Sequence, residues 1–274
     1  WNERPVTGSF DGAARETFLD EEGALRVARI DGVDRLRPFL TTLASGSDHW
    51  AFVSCTGALT AGRRSPETSL FPYRTVDRLH DAQGRVGGCT IVRTAAGSVW
   101  EPFTERGAGT RDAWRSIERC WLGSAVTLTE RDEDLGLEVR QTWTSSERHG
   151  LVRVVSLANV CSVSRALRVV DGVLDVLPAS VPHGMLDTLS SLVDAYRMSE
   201  LVDGVGVFGM GSIPVDRAEP SEALRATTAW CSAAGTRLLS AEQFETFRRG
   251  GLVETEHRSR GLRSGFLVER ELGL

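Results

Sequence analysis

The chain has 274 residues, 41% hydrophobic and 25% charged, with a formal net charge of −5. That balance belongs to globular proteins able to bury a sizeable core, and it excludes disordered and collagen-like classes. The basic residues are scattered, so the footprint of a nucleic-acid binder is missing, and no window approaches the ~18 apolar residues of a membrane span.

All 32 basic residues are arginine, which removes Schiff-base chemistry, pyridoxal phosphate attachment and lysine-dependent phosphate loops.

In chain order, Leu25, Val27 and Arg29 alternate with Ala24, Arg26 and Ile30, a strand closed by the turn dipeptide Asp31-Gly32. "HWAFVSC" reads as the next strand. The stretch Gly57 to Asp81, "GALTAGRRSPETSLFPYRTVDRLHD", comes close to a phosphate loop. Pro66 and Pro72 forbid a regular helix across it, and Arg63 and Arg64 stand where that loop needs lysine, so the Walker reading fails. Two readings remain: an irregular connection between strands, or an ordered loop at the edge of a site. The second would use Arg63, Arg64, Glu67, Tyr73, Arg74, Asp77, His80 and Asp81 to bind sugar hydroxyls or phosphate.

"GGCTIVRTAAGSVWEPF" gives two strands about a glycine turn, and "SAVTLTERDEDLGLEVRQTWTSS" gives a hairpin whose acidic tip, Glu130 to Gly136, reads as solvated. "GLVRVVSLANV" and "RALRVVDGVLDVLP" continue the strands. Leu186, Leu189, Val193 and Tyr196 then fall at helical spacing, with Gly204 as the expected stop. In "SAEQFETFRRGG", Ser240 and Gln243 form a capping box, Arg248 and Arg249 suit the helix C-terminus, and Gly250-Gly251 ends it. "SGFLVERELGL" is the last strand. The pattern predicts a mainly β, antiparallel single domain over residues 1–274, a sandwich or barrel with a few short helices.

The five cysteines lie far apart with no C-x-x-C pair, which fits reduced thiols in a cytoplasmic protein and no zinc site. The N-terminal residues lack the regions of a signal peptide. No G-x-S-x-G or H-E-x-x-H pattern is present, and His80 beside Asp81 reads as a structural hydrogen bond, so neither metal nor cofactor is expected. Trp100, Trp114, Trp121, Trp143 and Trp230 could stack on pyranose rings; core packing suits most of them, and Trp100 is the first candidate for a sugar contact. Asp216, Arg217 and Glu219, between Pro214 and Pro220, read as an internal ion-pair network or a surface meeting a partner.

"FVSCTGALTAGRRSPETSLFPYRTVDRLHD", "GSVWEPF", "LGLEVRQTWTSSERHGLVRVVSLANVCSVSRALRVVDGVLDVL" and "SIPVDRAEPSEALRATTAW" together resemble, in order, the N-terminal part of large bacterial proteins similar to cellobiose phosphorylase. The resemblance implies a two-layer β-supersandwich of galactose-mutarotase type, belonging to a longer chain whose (α/α)6 barrel carries the catalytic acid of a glycoside phosphorylase or hydrolase. On that reading this domain is non-catalytic. It packs on the barrel, walls a site for oligosaccharide and phosphate, and contributes to a homodimer. Arg63, Arg64, Tyr73, Asp77, His80, Asp81, Trp100, Asp216, Arg217 and Glu219 are then the candidates for substrate or domain contact. Alternatives are a stand-alone carbohydrate-binding module, or a mutarotase-like epimerase using a histidine and a glutamate.

Overall fold

A computed structural model describes residues 9–10, 14–19, 27–104, 113–179, 181–211, 225–249, 258–260 and 264–274. Its strands are β1 (Ser9–Phe10), β2 (Ala14–Leu19), β3 (Val27–Asp31), β4 (Leu40–Leu43), β5 (His49–Ser54), β6 (Leu59–Arg63), β7 (Gly87–Thr94), β8 (Val99–Trp100), β9 (Ala113–Cys120) and β10 (Ala125–Asp132). They continue as β11 (Leu137–Ser146), β12 (Gly150–Asn159), β13 (Ala166–Leu174), β14 (Arg197–Val202), β15 (Val205–Met210), β16 (Thr227–Ala229), β17 (Thr236–Ser240), β18 (Arg258–Arg260) and β19 (Ser264–Gly273). The α-helices are short: α1 (Val76–Asp81), α2 (His183–Thr188), α3 (Ser190–Tyr196) and α4 (Ala241–Arg248). The protein is mainly β and its sheets are antiparallel.

Among the described residues the strands form four sheets, ordered β1-β2-β3-β9-β10-β11-β12, β17-β19-β13-β7-β8, β16-β15-β14-β18 and β4-β5-β6. Period-two patterning builds the largest of them. On β11, Leu137, Val139, Gln141 and Trp143 are buried, and the residues between them face outward. They pair with Asp132, Glu130, Leu128 and Val126 of β10. The outer face carries an ionic ladder in which Glu118 takes Arg29 at 2.9 Å and Arg140 at 3.0 Å. One apolar cluster draws on all four sheets, through Val53, Leu128, Leu167 and Phe208 among others. A second cluster, Cys89, Ile91, Val170, Leu239, Phe244 and Leu267, seats α4 on the five-stranded sheet. The capping box of α4 has both its bonds, at 3.2 and 2.8 Å.

Three expectations change. The helix expected to run to Gly204 is two short helices broken at Leu189, and Arg197 onward is strand β14. Asp203 (φ 49°) and Gly204 (φ 82°) form the turn of the β14–β15 hairpin instead of a helix stop. The Gly57–Asp81 stretch is not simply a loop, because Leu59–Arg63 pairs with β5 and α1 starts once both prolines are passed. The acidic tip is not solvated throughout: Glu133 and Asp134 are exposed, but Glu130 and Asp132 are fully buried. No helix among the described residues is long and apolar enough to cross a membrane, and their five cysteines are free.

Candidate functional site

A cavity of about 490 Å³ lies between strands β4–β6, the segment from Pro72 to Arg78, and the α2–α3 strap. That volume is in the range of small-molecule sites. Leu40, Phe52, Val76 and Leu186 make its wall partly apolar; Thr60, Tyr73, Arg74, Arg78, His183, Asp187, Asp194 and Arg197 supply polar groups.

Local sequence explains how these residues meet. After β6 the chain makes a short 3-10 turn over Pro66–Thr68, and Pro72 falls in the irregular stretch that carries Tyr73 and Arg74 to α1. Tyr73 stands edge-on to two rings, Trp50 at 5.6 Å and His183 at 5.2 Å, and it keeps 38% of its surface exposed. The His183 backbone N–H donates to Glu67 Oε2 at 2.8 Å, which ties the strap to the loop. One turn further along α2, Asp187 Oδ2 lies 3.4 Å from His183 Nε2. At the far end of the strap, buried Arg197 meets Asp175 at 3.1 Å and Asp194 at 2.9 Å. Arg74 lies 3.9 Å from the other oxygen of Asp175. Thr60, in the wall, has a buried hydroxyl without a hydrogen-bond partner among the described residues.

Of the residues singled out from sequence, Tyr73 lines the cavity. Arg63 and Arg64 do not; both pair with Asp48, at 2.8 and 3.0 Å, and these cations hold its carboxyl down to about 2. Asp77 and Asp81 are exposed on α1 and outside the cavity wall. Asp77's carboxyl lies below its ordinary value, chiefly through a hydrogen bond with the Thr75 side chain. His80 is bonded to Ser54, Oγ to Nδ1 at 2.7 Å, rather than to Asp81, and burial lowers its pKa.

Trp100 is a correction. It is fully buried, with its Nε1–H donated to Glu130 at 3.0 Å, so its ring packs the core and cannot stack on a sugar. Among the described residues Trp121 and Trp230 are the exposed tryptophans, at 62% and 54%. Asp216, Arg217 and Glu219 lie outside the described residues.

His183, Asp187, Asp194 and Arg197 were not singled out. The one sequence signal available was the four-residue spacing of His183 and Asp187, which puts them on one face of a helix.

No protein-family model matches the chain, and no curated protein matches it. Neither comparison links it to the cellobiose phosphorylase group.

Chemically, the cavity offers an aromatic ring, an aliphatic wall, carboxylates that accept and guanidinium groups that donate. An epimerase would need histidines converging with a glutamate; this wall brings one histidine together with Asp187 and Asp194.

Proposed function

We propose that the chain is the non-catalytic β-domain of a carbohydrate-active enzyme, a two-layer supersandwich that lies against an (α/α)6 barrel and holds a sugar in the cavity around Tyr73. The observation that carries this reading is one aromatic ring set among paired carboxylates and guanidinium groups in a cavity of about 490 Å³. A pyranose has apolar C–H faces and a rim of hydroxyls. Tyr73 and the aliphatic wall suit the faces. Asp187, Asp194 and the arginines suit the hydroxyls, each of which can both donate and accept. Side chains already held by Asp175 and neighbouring rings, on a strap whose backbone Glu67 ties down, lose little freedom when a ligand arrives.

The test is titration of the 274-residue chain with glucose and cello-oligosaccharides, followed by calorimetry and by amide NMR shifts. Saturable binding that moves residues of the 72–78 and 183–197 segments is expected, weakened about tenfold by Tyr73→Ala. The same chain is expected to turn over no disaccharide, with or without phosphate. Absence of saccharide binding overturns the site, and robust phosphorolysis or hydrolysis by this chain overturns the non-catalytic assignment.

A further inference from the structure

The charges lining the cavity are not evenly matched, and the mismatch says something about its ligand. Arg197 is held between Asp175 and Asp194. Asp187 has His183 Nε2 at 3.4 Å. Two further guanidinium groups, Arg74 and Arg78, line the cavity from the Pro72–Arg78 segment. Arg74 has its nearest carboxylate at 3.9 Å, on Asp175, whose other oxygen is already taken up by Arg197. Arg78 is exposed; its backbone N–H and its charge both act on the Asp77 carboxyl, but its guanidinium makes no hydrogen bond or ion pair among the described residues. Its neighbour Asp77 is engaged by the Thr75 side chain and by backbone N–H groups. The wall also keeps Thr60, 2% exposed, whose Oγ1 has no hydrogen-bond partner among the described residues.

We infer, resting on the sugar reading above, that the ligand is an anionic sugar whose phosphate or carboxylate is received by Arg74 and Arg78. A guanidinium presents N–H donors in a planar fork that matches the oxygens of either group, and bonds between charged partners are roughly twice as strong as neutral ones. Tyr73 lines the cavity from the same segment as the two arginines, so a ring that takes the sugar face accompanies the groups that take the anion. Asp187, whose partner is a histidine rather than an arginine, would repel an anion placed beside it, which leaves the arginines to receive the charge.

The experiment titrates the 274-residue chain at low ionic strength with four probes: glucose, glucose 6-phosphate, glucuronate and inorganic phosphate. Binding of at least one charged sugar about tenfold tighter than glucose is expected, with the advantage shrinking as salt is raised. The double variant Arg74→Gln/Arg78→Gln should bring that sugar down to the level of glucose, with thermal melts verifying that the variant is folded. Preference for glucose 6-phosphate identifies the anion as phosphate, and preference for glucuronate identifies it as carboxylate. Glucose binding as tightly as both charged sugars overturns this inference and leaves the sugar reading standing. Inorganic phosphate binding as tightly as glucose 6-phosphate also overturns it, because the sugar then contributes nothing. If none of the four binds, this inference falls; the sugar reading falls with it only if the cello-oligosaccharides fail to bind as well.

Discussion

Glu130 accepts a 2.7 Å hydrogen bond from Nε of Arg115, a pair whose side chains are 0% and 9% exposed. The same carboxylate accepts Trp100 Nε1–H at 3.0 Å and the Phe103 N–H at 2.6 Å, while Arg115 donates to the Thr104 carbonyl at 3.0 Å. One buried acid thus fastens the 100–104 segment to the large sheet. Glu130→Gln keeps the shape but leaves the Arg115 charge buried without its counter-ion, at a cost of about 3 kcal/mol. Urea denaturation measures it. Glu130→Leu with Arg115→Met together should cost less than the sum of the two single changes, since no isolated charge remains. A loss under about 1 kcal/mol for Glu130→Gln would show that the charge is not confined as the geometry has it.

Stability should decline on mild acidification. Burial lowers the pKa of His80, and burial followed by the field of Arg63 lowers that of His49, both from the ordinary histidine value of 6.5. The unfolded chain therefore takes up these protons first as pH falls. The contribution is complete above 6.5 and is lost as pH drops below it toward the folded-state values. Proton uptake by His80 would also leave a charged, buried Nε2–H with no partner among the described residues. Thermal melts at pH 7.5 and 5.5 should show a lower Tm at the acid end, with a smaller drop for His80→Gln. A Tm that holds steady or rises toward pH 5.5 sinks the idea. Asp48 adds a separate limb: its folded-state value of about 2 lies below 3.8, so its contribution is present above 3.8 and disappears as pH falls toward 2.

At the β14–β15 hairpin the chain reverses through Asp203 (φ 49°) and Gly204 (φ 82°). Both positions are left-handed, as a two-residue turn matching the twist of its strands requires. Gly204→Ala should cost about 1 kcal/mol by urea denaturation, because the β-carbon disfavours that backbone state. The contact made is mild: an added Cβ would lie 3.4 Å from Thr236 Oγ1. A change within experimental error would mean the turn relaxes into another type.

This hairpin also marks where the sequence misleads. Leu186, Leu189, Val193 and Tyr196 do hold helical spacing, and helices form there, ending at Tyr196. Past that point Met198, Ser199, Glu200 and Leu201 are shared between a helical and an alternating pattern, and pairing with β15 and β18 decides for the strand. The strands over 125–159 were legible because alternation and turn residues agree there with the final pairing. The cavity was harder to read. Tyr73 and His183 are 110 residues apart, 183 minus 73, and nothing local announces that β13 and the strap bring them within 5.2 Å. Glu130 was hidden for a related reason: an acidic run at a hairpin tip looks solvated until Arg115, Trp100 and Phe103 are seen to converge on it.

Two glycines should respond to alanine in opposite senses. Gly172, on β13, sits against β19, and a β-carbon there would fall 2.1 Å from the Phe266 carbonyl oxygen and 2.8 Å from Leu267 Cα. Both atoms are backbone in a paired strand, so the clash is relieved only by parting β13 from β19 in the middle of the five-stranded sheet. Gly172→Ala should cost about 3 kcal/mol or more, or fail to fold. Gly184 lies in α2 with open space where its β-carbon would be. There alanine restricts the unfolded chain and improves helix propensity, so Gly184→Ala should raise stability by about 0.5–1 kcal/mol. Because α2 carries His183 and Asp187 on the cavity wall, the same variant reports on the strap: saccharide titration should show affinity retained or slightly improved as the helix stiffens. A Gly184→Ala protein that is less stable than the parent would mean that the strap is not helical in solution.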